Sequence, residues 1–172
     1  MSPQINSTYV IRVAFIQELK PDFVSRTIMR LEKTNFSHVG ILFEDIDYKE
    51  KLFHSIGLGV CVDANLEYFK THRVVKYYEV PMDVTREGFS MYVRGRTTSK
   101  VKYSQSQYLN QALRLAGLAW QPVRNDGSKT ICSEEATLAL QLSKLDVSRL
   151  QEDSVSPKML DLFLVEQGLV AL

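Results

Sequence analysis

Between residues 9 and 80 the chain is cut into short apolar runs, and this constrains its fold more than any other feature. The runs are Tyr9 to Ile16, Val39 to Phe43, Lys51 to Ile56, Gly59 to Val62 and Val74 to Val80. Each is rich in β-branched and aromatic residues and bounded by turn-forming ones, as strands are. The exception is residues 21–33, where Pro21 suits a first helical position and Val24, Ile28 and Leu31 recur at helical spacing before a turn at Thr34-Asn35. The four later runs predict an antiparallel meander. A short helical segment, Ala64 to Lys70, interrupts it, with Asp63 placed as its cap. After Pro81 the apolar period becomes helical, over residues 84–96, Ser104 to Leu118 and Cys132 to Leu142. A last helix is marked by Ser156 as cap, Pro157 inside it and Gly168 beyond it. Sheet first and helices later bury their apolar faces by packing on each other, so the expected class is α+β, an antiparallel sheet packed against helices.

With 172 residues and neither internal repeat nor linker, residues 1–172 read as a single domain, large enough to need no disulfide or metal for stability. Net charge is +1, from 21 basic and 20 acidic residues, which leaves no global field for nucleic acid. No apolar stretch approaches the roughly 20 residues of a transmembrane helix. The segment Met1 to Asn6 lacks the pattern of a secretory signal, so the expected location is cytoplasmic, with both cysteines reduced. The close cysteine pairs that make a zinc site convincing are absent. Neither metal nor other cofactor is expected.

Cys132 follows a turn-rich loop, Gln121 to Ser128, and opens a helix-forming stretch. Free amides at a helix N-terminus stabilise a thiolate and can also donate to the oxyanion of acyl transfer, so one position serves two catalytic needs. His38 begins a strand whose Gly40 allows close approach of another backbone, a rigid mount for a general base. His54 stands on the next strand. A turn centred on Ile46 places residue i opposite 92 − i, which sets His38 facing His54 on one side of the sheet. Cys132 beside His38 is expected as a thiolate–imidazolium pair. Glu134 and Glu135 oppose that activation unless they face away from the thiol. His72 reads as a surface residue and Cys61 as a packed, inert thiol.

These residues also carry a resemblance. Ser37-His38-Val39-Gly40-Ile41 on a strand, His54 on the next and, much later, Cys132-Ser133-Glu134 at a helix start resemble the circularly permuted NlpC-type papain-like proteins, a group that includes relatives of lecithin retinol acyltransferase. Gly59-Val60, Tyr103 before a helix and Ser156-Pro157 are weaker matches. The resemblance implies a permuted papain-like fold and a cysteine hydrolase, peptidase or amidase-like, that cleaves an amide, ester or thioester bond through an acyl-enzyme. Cys132 would be nucleophile, His38 base and His54 its orienting partner, with Tyr103 and Ser133 near substrate or oxyanion. The substrate implied is a peptide, an amide or another acyl compound. Many bacterial members carry Glu at the third position, whereas His54 is more similar to the acyltransferase branch. An acyltransferase is therefore one alternative, and a non-catalytic papain-like binding or structural domain, which Glu134 and Glu135 beside the thiol would suit, is the other.

Overall fold

The computed structural model describes residues 8–57, 59–104, 129–150 and 155–172, without the side chains of 64–66. Its core is a five-stranded antiparallel sheet of β1 (Val10–Glu18), β2 (His38–Glu44), β3 (Glu50–Ile56), β4 (Gly59–Ala64) and β5 (His72–Pro81), in the order β4-β3-β2-β1-β5. The chain is thus α+β, with an antiparallel sheet packed against helices. The expected meander holds from β2 to β4 and then ends. β5 crosses to the far edge and pairs with β1, Val13 opposite Tyr78, because the connection through α2 (Asn65–Tyr68) carries it past three strands.

Alternation along the strands gives the sheet two unlike faces. Val39, Ile41 and Phe43 of β2 join Ile11, Val13, Phe15, Phe53, Tyr78 and Val80 in one large buried cluster, completed by helical residues. Those helices are α3 (Arg86–Thr98), α4 (Cys132–Leu140) and α5 (Pro157–Glu166). α4 is buried almost all round, as befits a helix between a sheet and other helices. Cys132, Ser133, Ala136, Thr137 and Ala139 are small enough to let its backbone lie close to β2 and β3. On the opposite face Ala14, Ile16, Leu42 and Leu52 form a smaller cluster against Tyr68, Phe69, Val74 and Tyr77.

Local signals explain most element ends. α1 (Phe23–Glu32) starts one residue after Asp22, whose carboxylate accepts the Ser25 amide at 2.7 Å; Pro21 precedes the cap and is not the first helical residue. Ser156 accepts the Met159 amide at 3.2 Å, and Pro157 opens α5 as expected. Gly59 has φ of +110°, and a Cβ there would lie 2.4 Å from the Val101 carbonyl oxygen, so only glycine fits. Val101 leads into β6 (Lys102–Tyr103), which runs parallel to β7 (Lys129–Thr130), the strand that delivers the chain to Cys132. Beyond Ser104 the expected helix Ser104 to Leu118 lies outside the described residues.

Candidate functional site

The two histidines meet, although by a register different from the expected one. Gly40, not His38, stands opposite His54, so pairs sum to 94 rather than 92. A shift of two residues keeps every side chain on its face, and the rings close diagonally, with His38 Nε2 2.9 Å from His54 Nδ1. Gly40 makes room for this pair. A Cβ there would lie 2.6 Å from Leu52 Cδ1, 3.3 Å from His54 Cβ and 3.4 Å from the Phe53 carbonyl oxygen, so side chains and the backbone of β3 both crowd the space.

Sequence reasoning missed the next group. β4 runs on to Ala64, so Asp63 is a strand residue and not the expected helix cap. It lies opposite Leu52, with its carboxylate 2.9 Å from His54 Nε2. Asp63, His54 and His38 form a chain across three neighbouring strands. A carboxylate only accepts, so His54 carries its proton on Nε2 and presents a bare Nδ1. His38 must then donate from Nε2, which leaves its Nδ1 as an acceptor, the form a general base needs. Both rings are neutral at pH 7. Burial holds the His38 pKa well below the usual imidazole value, helped by His54 and His72; burial also lowers that of His54, against the pull of Asp63.

Cys132 is the first residue of α4 and only 2% exposed. Burial pushes its thiol up to about 11, against the amides of Val39, Ser133 and Cys132 itself, which favour the thiolate. The Val39 amide belongs to the peptide bond that follows His38, so the thiol lies against the backbone of the base. No hydrogen bond joins Cys132 to either histidine among the described residues. The expected thiolate–imidazolium pair is therefore corrected: desolvation outweighs the helix amides, and thiol and imidazole both rest uncharged.

The two glutamates of α4 do turn away. Glu134 accepts the Ile131 amide at 3.3 Å, and Glu135 takes Arg96 through two bonds of 2.8 and 2.6 Å. The anion that raises the Cys132 pKa is instead Glu32 of α1, itself 1% exposed. Ser133 turns its hydroxyl to the Val155 carbonyl at 2.6 Å, so what it offers an oxyanion is its amide and not its side chain.

A cavity of about 540 Å³ opens in front of His38, lined among the described residues by Glu18, Ser25, Ser55, Tyr68, His72 and Tyr103, with others. Tyr103 is thus one of the residues at this cavity. His72 departs from its expected surface role. Its ring stacks on Tyr68 at 4.0 Å and 9°, while the Tyr68 ring meets His54 edge-on at 4.6 Å. Tyr68 was invisible in the sequence because its place depends on how α2 folds back over β3 and β4.

A third group adjoins His54. Cys61 pairs directly with it on β4, and ligating atoms of His54, Cys61 and Asp63 all lie within 4.8 Å of one another. Burial and the Asp63 charge push the Cys61 thiol up to about 12. No helix among the described residues is long and apolar enough to cross a membrane.

No family model matches the chain, and no curated protein matches it. Among solved structures it is similar to metalloprotein yiiX from Escherichia coli O157:H7, of DUF1105, with 16% sequence identity and a TM-score of 0.49 over 96% of this chain and 95% of that one.

Proposed function

We propose that this chain is a cysteine hydrolase of the permuted papain-like kind, acting on an amide, ester or thioester through an acyl-enzyme on Cys132. The observation that carries this reading is the chain from Asp63 through His54 to His38, which holds His38 in the tautomer with an acceptor Nδ1. A buried histidine whose only task is packing has no need of a tautomer set from two strands away. His38 takes the Cys132 proton as the thiol attacks the carbonyl, then returns it to the leaving group. The Ser133 and Cys132 amides at the start of α4 hold the oxyanion. Because thiol and imidazole rest neutral, Cys132 must hand its proton to His38 within the reaction itself. Transfer of the acyl group to an amine or thiol uses the same intermediate and differs only in the acceptor.

Burial of Cys132 at 2% exposure favours a second reading, a papain-like domain that binds without catalysis. The two separate on treatment with an activated acyl ester followed by peptide mass mapping. The enzyme acylates at Cys132 stoichiometrically, His38→Ala slows this by about 100-fold or more, and Cys132→Ser abolishes it. Acylation confined to surface lysines, or indifferent to His38→Ala, rejects catalysis.

A further inference from the structure

Cys61 has no part in that mechanism, yet it stands beside the two groups that set the base. We infer that His54 Nε2, Cys61 Sγ and an Asp63 carboxylate oxygen form a binding site for a divalent cation of the zinc class, whose occupation switches off His38. The second half of this inference rests on the proposed function; the first does not.

Imidazole, thiolate and carboxylate are the donor types that zinc selects, and three protein ligands leave the fourth tetrahedral position to water. Bonds of about 2.0–2.3 Å place tetrahedral ligand atoms about 3.3–3.8 Å apart. One ligating atom from each of the three residues already lies within 4.8 Å of the others, and His54 Nε2 and Asp63 Oδ2, 2.9 Å apart, need only separate slightly. The Asp63 side chain, 36% exposed on the edge strand β4, has the freedom to do so and leaves the cation a path from solvent. The same anion that now disfavours a Cys61 thiolate becomes a partner once a cation stands between them.

Occupation reverses the hydrogen bonds. With its Nε2 lone pair on the metal, His54 loses the Nε2 proton to solvent and must carry one on Nδ1. That proton comes from His38 Nε2 along the 2.9 Å bond, and solvent supplies another to His38 Nδ1. Cys61 releases its own, so one proton leaves overall. His38 Nδ1 is then a donor and cannot accept from Cys132.

The test uses the whole chain with cobalt(II) as a spectroscopic substitute and zinc in competition with a chromophoric chelator. Wild type should bind one equivalent and show thiolate-to-cobalt charge-transfer absorption. Cys61→Ser should abolish that band, and Cys61→Ser and Asp63→Asn should each weaken zinc at least about tenfold, while Cys132→Ser leaves both within about twofold. Absence of binding, or a band lost with Cys132 and kept without Cys61, overturns the site. Both variants are near-isosteric, and a thermal melt confirms that each is folded. One equivalent of zinc should also slow Cys132 acylation at least tenfold in wild type and leave it unchanged in Cys61→Ser. Bound zinc with undiminished acylation overturns the switch. Failure of all acylation rejects the proposed function, and the cobalt spectrum still decides the site.

Discussion

The two faces of the sheet are made by the same strands and behave as different materials. On β2 the residues Val39, Ile41 and Phe43 enter the large apolar cluster, while His38, Gly40 and Leu42 face the other way. The helix-covered face derives its energy from non-directional burial, for which many shapes suffice. The opposite face holds a line of polar atoms that must each be satisfied, His38 to His54 to Asp63, in a mainly buried setting where a missing partner is costly. Apolar burial is concentrated on one side of the sheet and the hydrogen-bonded histidine chain on the other, while Cys132 opens a helix of the apolar side. The backbone between them is shared, so the apolar face rigidly positions the polar one.

The largest expected effect breaks the apolar side. Phe53, 1% exposed and directly opposite Ile41, should cost about 3–5 kcal/mol when replaced by alanine, read as a lowered midpoint in urea unfolding. A loss below about 1 kcal/mol would mean that the two faces do not divide the work in this way.

A smaller effect is expected from the neighbouring residue on the polar side. His54→Ala strands a donor on His38 and a carboxylate on Asp63, a cost of about 1–3 kcal/mol, and it should slow Cys132 acylation by freeing the His38 ring. His54→Gln retains a carbonyl acceptor and an amide donor and should recover part of both. Equal behaviour of the two variants in acylation would remove His54 from its positioning role.

The last effect sharpens the comparison through pH. His38 and His54 both have folded pKa values below the ordinary imidazole value. As pH falls the unfolded chain takes up these protons first, so their contribution is intact above about pH 6.5 and drains away below it, toward the folded values. Two imidazoles set a ceiling of about 2.7 kcal/mol per pH unit. The melting temperature should therefore fall between pH 7 and pH 5, and His38→Ala should flatten that slope. A flat wild-type profile would contradict buried, neutral rings.

Much of this arrangement is legible before folding. Short β-type runs followed by helical periods specify an antiparallel sheet with helices, and Ser156-Pro157 marks the start of α5. The facing of His38 and His54 survives an incorrect register, since an error of two residues leaves the pleat unchanged. Asp63 was not legible as a site residue. An aspartate before a helix-forming stretch reads as a cap, and nothing local says that β4 continues through it. Cys61 reads as a packed, inert thiol because it lies within a strand with no helix start beside it, and its raised pKa agrees; its place beside His54 and Asp63 depends on the pairing of β3 with β4 and shows only in the fold.

By itself the sequence determined which residues alternate onto each side of β2 and β3, and that Cys132 begins a helix, because periodicity and helix starts are properties of a few consecutive residues. Only the tertiary structure decided that β5 crosses to β1, that Asp63 completes the histidine chain, and that Cys132 is buried as an uncharged thiol. Strand order, cross-strand neighbours and desolvation depend on residues far apart in the chain, and their energies exist only once those residues are brought together.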